Sequence, residues 1–220
     1  MTAQNDSIRK AFILTSHVAA VQAGSSELGA MVLKQAQDEI AKQAGMDGVG
    51  EVVNMVHITA RKCYDTWFPS LPQTTIVNPQ TGVPIGRPDL TFIVGGYEKD
   101  LNGNFVRPSI YQLSSGFNFA PMIHDYGFAV AGVPTYALYL LNRLYQPDRK
   151  AEDELAPLAV YAISETASQD GKVGGPIRVV IVCPTGSKEL TEKDVDNIVK
   201  RNLTRTTALR DSFYQGRAKT

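Results

Sequence analysis

The sequence predicts an α+β protein in which antiparallel sheets lie between two helical layers, a four-layer αββα sandwich. Two observations lead to this prediction. Short apolar β runs are joined by tight turns, at Thr15-Ser16-His17 and at Asn102-Gly103, so neighbouring strands should run antiparallel. Helical segments also come in pairs between the groups of strands, so that each pair can cover the apolar face of one sheet.

The first hairpin consists of apolar runs at 11–14 and 18–23. Gly24 ends the second run, and Ser25 or Ser26 is a good N-cap for a helix that continues to about Lys42. A second helix is predicted from about Glu51 to Trp67, because apolar residues recur there at intervals of three and four. The start of the chain is therefore a hairpin followed by a helix pair.

The segment 69–88 is rich in proline, with five prolines at positions 69, 72, 79, 84 and 88. It is long for a connection inside a compact domain. Two descriptions stay open at this point, a surface excursion with a short hairpin or a mobile segment. Its function is equally open, because it can be a plain insertion or an interface loop.

The remaining segments repeat the strand and helix pattern. All 220 residues are expected to form a single domain, with 186–220 as a C-terminal helical extension. The predicted strands are 89–97, 105–113, 127–132 and 177–183, and the predicted helices are 136–145, 152–169 and 191–213.

The composition excludes several classes of function. Lysine plus arginine and aspartate plus glutamate both number 22, so no charge excess favours nucleic acid or an anionic membrane. No apolar run is long enough to span a bilayer, and the N-terminus lacks the apolar segment of a signal peptide. Cys63 and Cys183 are interpreted as reduced residues, which favours a cytoplasmic protein. No histidine has a partner at metal-ligand spacing, so neither a metal nor another cofactor is expected.

Chemistry is suggested by the two ends of the first hairpin. Lys10 stands where the first strand begins, and Gly24 stands where the second strand gives way to a helix. A cation close to the backbone N–H groups of a helix start can stabilise an oxyanion. The alternative is a structural hairpin whose lysine is simply solvated.

Four segments in order resemble the proteasome subunit and HslV-like family of N-terminal-nucleophile hydrolases. They cover roughly residues 5 to 185. The segments are R-K-A-F-I-L with V-A-A-V-Q-A-G, L-T-F-I-V-G-G-Y with I-Y-Q-L, A-V-A-G-V-P-T-Y-A-L-Y-L-L with L-Y-Q-P, and A-V-Y-A-I-S-E-T-A-S-Q-D-G-K-V-G-G-P-I-R-V-V-I-V.

The resemblance implies a threonine-type peptidase subunit that acts in intracellular protein degradation. In such enzymes the hydroxyl of an N-terminal threonine attacks a peptide carbonyl while its α-amine takes the proton. Lys10 matches the lysine that lowers the pKa of the amine, and Gly24 matches the glycine whose N–H binds the oxyanion. Asp170 matches the aspartate of a later active-site turn. The implied partners are a peptide or unfolded protein substrate and other subunits of a homo- or hetero-oligomeric ring.

The sequence departs from this family in three respects. The matching nucleophile would lie roughly 23 residues before Met1, on a strand pair that the sequence lacks, so the sandwich is expected to be N-terminally incomplete. Val173 and Gly132 stand where serines are expected. A five-stranded sheet deprived of its first strand pair would also expose unpaired backbone groups.

Three functions remain open from the sequence. The chain is a proteasome-like peptidase subunit without its nucleophile, a catalytically inactive structural subunit of a ring, or a monomeric binding domain on the same fold. The first is favoured because Lys10 and Gly24 both occupy the positions that the chemistry requires.

Overall fold

The computed structural model describes residues 9–73, 75–149 and 151–214. The chain divides into two compact units, one of Met1–Pro134 with Val182–Lys188 and the other of Thr135–Ile181 with Glu189–Thr220. None of the helices within the described residues has the length and apolar character that crossing a membrane requires.

The first unit is built on a five-stranded antiparallel sheet in the order β1-β2-β5-β6-β7. The β2–β5 ladder at its centre is regular over seven pairs, from Val18↔Gly96 to Gly24↔Leu90. The five strands are β1 (Ala11–Thr15), β2 (Val18–Gly24), β5 (Leu90–Lys99), β6 (Phe105–Ser114) and β7 (Met122–Ile123).

Helices α1 (Ser26–Ala41) and α2 (Val49–Trp67) cover one face of this sheet. Side chains alternate between the two faces of a strand, and in β5 every second residue from Leu90 to Val94 is buried. The helices bury a matching apolar stripe that includes Val32, Leu33 and Val56. The predicted hairpin and helix pair are therefore present within a few residues of the expected bounds, and together they form the core of the unit.

The outer edge of β1 is capped by side chains. Arg9 Nε donates to the Ala11 carbonyl at 2.7 Å, Gln37 Nε2 to the Ile13 carbonyl at 2.6 Å, and Ser187 Oγ to the Thr15 carbonyl at 3.3 Å. Occupied carbonyls make an edge strand a poor template for another strand. This sheet has five strands, and the outward carbonyls of its β1 edge accept side-chain hydrogen bonds, while the expectation of a strand pair before Met1 stays a prediction.

The proline-rich segment contains a short hairpin, which decides between the two descriptions left open by the sequence. Strands β3 (Ile76–Val77) and β4 (Pro84–Ile85) pair antiparallel as a separate two-stranded sheet. Asn78 closes the turn, because its side-chain oxygen accepts hydrogen bonds from the backbone N–H groups of Gln80 and Thr81.

The second unit is mainly helical, with α3 (Thr135–Leu144), a π-helical turn (Ala151–Leu155), α4 (Ala156–Gln169) and α5 (Glu192–Ser212). Helix α4 packs against both α3 and α5. Asn202 of α5 donates through Nδ2 to the Pro157 carbonyl at 2.9 Å, which fixes α5 against the first turn of α4. Thr191 and Asp194 form a capping box that starts α5.

The predicted four-layer αββα sandwich is wrong. The described residues contain one five-stranded sheet and two small two-stranded sheets, β3–β4 and β8 (Val180–Cys183) with β9 (Gly186–Glu189), so the fold is α+β without a second large sheet. Two predicted strands explain the error. The segment 127–132 is irregular, and only four residues of 177–183 are extended. Apolar β-branched runs reveal the strand propensity of a segment but not whether a neighbour pairs with it.

The turn between β1 and β2 is held by contacts of the His17 ring. His17 Nδ1 lies 2.8 Å from Asp47 Oδ2, and His17 Nε2 lies 3.1 Å from the Pro184 carbonyl. The His17 ring also stacks on Phe105, with ring centroids 3.5 Å apart. Burial opposes the ionisation of Asp47, but hydrogen bonds from Thr15 and His17 and the nearby positive charges outweigh it and lower the pKa of its carboxyl.

The lowered pKa of Asp47 makes the stability of this unit dependent on pH. A carboxyl with a depressed pKa stabilises the fold above its ordinary pKa of 3.8, and that contribution disappears as the pH falls through the folded value. Asp47→Asn should cost about 1 kcal/mol in the free energy of unfolding at pH 7, and the difference from the unsubstituted chain should shrink below pH 3.8. Urea denaturation at pH 7 and pH 3 measures both values. Asp38→Asn, at an exposed position on α1, is the control and should leave the free energy of unfolding unchanged at both pH values.

Candidate active site

The structure brings Lys10 and Gly24 to the same end of the β1–β2 hairpin. The Gln22 N–H donates to the Lys10 carbonyl at 3.0 Å, so Lys10 lies opposite Gln22 and two residues from Gly24 in the register. Lys10 is exposed, and no described residue forms a hydrogen bond or ion pair with its ammonium group. An exposed lysine residue therefore lies at the end of the hairpin at which β2 ends.

Gly24 makes this corner with a backbone that other residues rarely adopt. Its φ is +95°, and a Cβ atom at this position would overlap the Asp89 carbonyl oxygen. That same carbonyl accepts a hydrogen bond of 2.9 Å from the Ser25 N–H, and α1 begins at Ser26. The close approach to Asp89 thus requires glycine for structural reasons, whatever else Gly24 does.

The N–H of Gly24 points to the side of β2 on which Lys10 lies. Successive N–H groups along a strand alternate in direction. The Gln22 N–H is directed to β1 and the Ser25 N–H to Asp89 at the start of β5, so the Gly24 N–H between them is directed away from β5. The Gly24 N–H and the backbone of Lys10 therefore lie on one side of the corner.

Gln22 holds this corner together from inside the protein. Its side chain is only 5% exposed, and Nε2 donates to the Arg9 carbonyl at 2.9 Å and to the Ser26 carbonyl at 3.0 Å. Both partners are acceptors, so the amide orientation is fixed. Gln22 thereby ties the residue before Lys10 to the first turn of α1. Its Oε1 is buried without a hydrogen-bond partner among the described residues and faces Gly29.

The sequence analysis did not identify Gln22 as a site residue. The available signal was its position in the alternating run V-A-A-V-Q-A-G, in which Val18 and Ala20 face the core. A polar residue on the buried face of a strand must find partners. Those partners lie thirteen residues away at Arg9 and four away at Ser26, and only the folded hairpin brings them together.

A third segment approaches the corner at Gly132. A Cβ atom at Gly132 would lie 3.4 Å from the Ala23 Cβ, and its φ of +94° again suits glycine. Gly132 is the position at which the sequence comparison expected a serine. The structure thus brings Gly132 beside the residue that precedes Gly24, but no hydroxyl is present there.

Asp170 belongs to the second unit and has a local structural role. It is the C-cap of α4, its N–H donates to the Thr166 carbonyl at 2.9 Å, and its Oδ1 accepts a hydrogen bond of 2.8 Å from the Lys172 N–H. Its Oδ1 thus already accepts a backbone hydrogen bond within its own turn. Its predicted active-site role stays a prediction, as do those of Lys10 and Gly24.

The arrangement at the corner suits anion stabilisation and proton positioning. No group of three or more histidine, cysteine, aspartate and glutamate side chains within the described ranges is disposed to hold a metal ion. The chemistry available from these residues is that of one ammonium group and oriented backbone N–H groups.

Comparison with solved structures finds this fold in proteins called Anbu. One is Anbu (ancestral beta-subunit) from Yersinia bercovieri, with a TM-score of 0.68, 16% sequence identity, and coverage of 94% of this chain and 84% of that chain. Another is the Anbu (Gly-1) mutant from Hyphomicrobium sp. strain MC1, with a TM-score of 0.64, 17% identity and the same coverage. No family model matches the sequence, and no curated protein matches it. At 16% and 17% identity, this likeness shows a shared fold.

The assignment to the proteasome subunit and HslV-like family is wrong. The structural neighbours are Anbu proteins, and no family model supports the narrower assignment. The physical reason is that the motifs behind it specify a hairpin, a glycine corner and a helix start. A local backbone arrangement of this kind belongs to a fold and does not separate the families that share it.

Gly24 allows a test that separates backbone strain from steric overlap. Gly24→Ala should lower the free energy of unfolding by about 3 kcal/mol, since the strained φ costs about 1–2 kcal/mol and the overlap with Asp89 adds a similar amount. Gly103 has a similar φ of +81°, but a Cβ atom added there would have no other atom within 4 Å. Gly103→Ala should therefore cost only about 1 kcal/mol. Equal losses in chemical denaturation would show that the contact with Asp89 is unimportant.

A second prediction concerns the brace made by Gln22. A Cβ atom at Gly29 would overlap Gln22 Oε1 and lie 2.9 Å from Leu90 Cδ1, so Gly29→Ala must displace the amide or the leucine. We expect a loss of about 2 kcal/mol in the free energy of unfolding. Gly174→Ala is the control, because open space surrounds that position. Helix propensity alone predicts that Gly29→Ala raises the free energy of unfolding. Such a rise would mean that the Gln22 side chain can move without a loss of stability.

Proposed function

We propose that the chain is a subunit of a proteasome-like peptidase that acts in protein degradation in the cytoplasm. The observation that supports this best is the corner at Gly24. The exposed residue Lys10 and the Gly24 backbone N–H lie there at the same end of the β1–β2 hairpin, next to the start of α1, which supports the proposal. The expected substrate is a peptide or an unfolded protein, and the expected assembly is a ring of like or unlike subunits.

In the proposed reaction, a threonine at a chain terminus supplies the nucleophile. Its hydroxyl attacks the peptide carbonyl, and its α-amine accepts the hydroxyl proton. The Lys10 ammonium group lowers the pKa of that amine by charge repulsion, and the Gly24 N–H donates to the oxyanion of the tetrahedral intermediate. The role in an active-site turn that the resemblance implies for Asp170 is part of the proposal. No residue from 1 to 220 is matched to the nucleophile, so the proposal requires a threonine from a segment that precedes Lys10 in the active protein.

A second candidate is a structural subunit that assembles without catalysis. The observation in its favour is the pair of positions that lack the expected hydroxyls. Gly132 lies beside Ala23 without a side chain, and Val173 follows Asp170 without a hydroxyl. Such hydroxyls would help to hold the amine and its proton. A monomeric binding domain is the third alternative, and it predicts that the purified chain elutes at 24.0 kDa.

The coding sequence upstream of Met1 and a peptide-hydrolysis assay test the proposal together. We expect an in-frame segment with a threonine at a processing point, no turnover of fluorogenic peptides by residues 1–220 alone, and turnover when the segment is included. In that longer protein, Lys10→Ala should reduce kcat by about 100-fold or more with little change in stability, because Lys10 is exposed. Lys10→Arg should retain part of the activity, since the positive charge stays.

Lys34→Ala removes another exposed lysine, on α1, and should leave kcat unchanged. Turnover by residues 1–220 that survives Lys10→Ala would refute the proposed chemistry. An inert residue in place of the upstream threonine, in a protein that still assembles, would favour the structural subunit.

A further inference from the structure

The hairpin β3–β4 and its turn, residues 75–86, form an arm that neither the sequence resemblance nor the proposed chemistry uses. From 69 to 86 the sequence contains no charged residue. Ile76, Val77 and Val83 of the arm are each more than half exposed, at 54%, 63% and 57%. Three aliphatic side chains on an uncharged projection are unusual at a protein surface and mark a site of interaction.

The arm is rigidly attached to the body of its unit. Arg87 at its base forms an ion pair of 2.7 Å with Asp65 of α2, and its backbone N–H donates to the Pro72 carbonyl. Tyr64 donates from its hydroxyl to the Pro88 carbonyl at 3.1 Å. A segment that is already ordered loses little conformational entropy when it binds, so the arm is prepared for an interaction.

The turn of the arm is equally well ordered. The Asn78 N–H donates to the Val83 carbonyl at 2.9 Å, and the Gly82 N–H donates to the Asn78 carbonyl at 2.8 Å. At the base, a Cβ atom on Gly86 would lie 2.6 Å from Thr75 Oγ1, so the two sides of the arm are in close contact. The aliphatic side chains are thereby held in fixed positions.

A complementary surface lies at the far edge of the sheet in the same unit. An open pocket of about 630 Å³ is lined by Gln112, Met122, Ile123, His124, Asp125 and Tyr126. Met122, Ile123 and Tyr126 are exposed there. Strand β7 is the last strand of the sheet and pairs only with β6 among the described strands, so its outer edge is open to a further strand.

We infer that the arm of one copy of this chain docks in the β7 pocket of a second copy. The exposed Met122, Ile123 and Tyr126 give the pocket an apolar part beside the polar Gln112, His124 and Asp125. The aliphatic side chains of the arm fit that apolar part, and the arm is an extended hairpin that can also add to the edge of β7. An uncharged arm offers nothing to nucleic acid or to an anionic membrane. Each chain carries one exposed arm and one exposed pocket. Each copy can therefore place its arm in the pocket of one neighbour and bind the arm of another neighbour in its own pocket.

This contact joins two different surfaces, so it is heterologous. Heterologous contacts make rings when the rotation between copies closes, and open helices when it does not. The inference rests on the assembly that the proposed function requires, and it names the surfaces that would make it. Val77 on the arm and Ile123 in the pocket are the side chains that we expect to be buried in the contact.

The test uses the full 220-residue chain and two variants with opposite defects. Val77→Asp places a charge on the arm and leaves the pocket intact, whereas Ile123→Asp places a charge in the pocket and leaves the arm intact. Mass measurement by light scattering and native mass spectrometry should find the unsubstituted chain assembled and each variant at the monomer mass of 24.0 kDa. An equimolar mixture of the two variants should form a heterodimer and nothing larger. The unsubstituted arm of the Ile123→Asp variant can bind the unsubstituted pocket of the Val77→Asp variant, and no second intact pair remains.

The control is Leu101→Asp, at a fully exposed turn between β5 and β6, which should assemble like the unsubstituted chain. The far-UV circular dichroism spectrum should be unchanged in all variants, because the substituted side chains are exposed in the single chain. The melting temperature of the two monomeric variants should be lower than that of the assembled chain, because association stabilises the folded state. Loss of assembly in the control as well would attribute the effect to added charge and overturn the inference.

The remaining outcomes separate the two proposals. If the unsubstituted chain assembles and either variant assembles equally well, the arm contact is refuted and the proposed function stands. If both variants are monomeric and their mixture stays monomeric, the pairing of arm with pocket is refuted. If the unsubstituted chain is itself a monomer at high concentration, the arm contact is refuted, whereas the proposed function, which concerns the longer protein, is decided by the peptide-hydrolysis assay.

Discussion

The close packing between the end of β2 and the start of β5 is the constraint on which the first unit depends. Gly24 lies so near the Asp89 carbonyl that only a residue without a side chain fits, and that carbonyl receives the Ser25 N–H. This contact ends β2, sets the direction in which α1 leaves the sheet, and starts β5 in register. A shift of one residue would reverse the inward and outward faces of both central strands.

The same constraint produces the candidate active site. Because β1 pairs with β2 in a fixed register, Lys10 is brought to the end of the hairpin where the Gly24 N–H is left out of the β5 ladder. Gln22 then connects Arg9 and Ser26 from the buried side and keeps the two halves of the corner together. Gly24 is required for the close packing against Asp89, and it also supplies the backbone N–H of the candidate site. A substitution at this position would therefore affect both the fold and the site.

The treatment of the two edges of the sheet differs. At β1, side chains of Arg9, Gln37 and Ser187 occupy the carbonyls that would otherwise pair with another strand. At β7, no further described strand pairs, and a pocket with both apolar and polar lining residues lies beside it. Proteins usually protect sheet edges against unwanted pairing. Protection at one edge and an open pocket at the other is consistent with a chain that associates through a single edge.

Much of the local structure could be predicted from the sequence. The turn chemistry at 15–17 and 102–103, the glycine corner and the helical periodicities of α1, α2, α4 and α5 all depend on short-range physics, and these elements are present. The errors concern long-range pairing. The segments 127–132 and 177–183 have the composition of strands, but the first is irregular and the second is extended over only four residues, because a strand exists only where another strand pairs with it.

The sequence by itself determined which residue types stand at the corner, with a lysine at 10, a glycine at 24 and an uncharged proline-rich segment at 69–86. Only the tertiary structure decided that Lys10 lies opposite Gln22, that Gln22 braces the corner, and that the proline-rich segment is an anchored arm. The reason is physical. Residue type and spacing fix the conformations open to a short segment, whereas hydrogen bonds between distant segments depend on a register that forms only when the whole sheet packs.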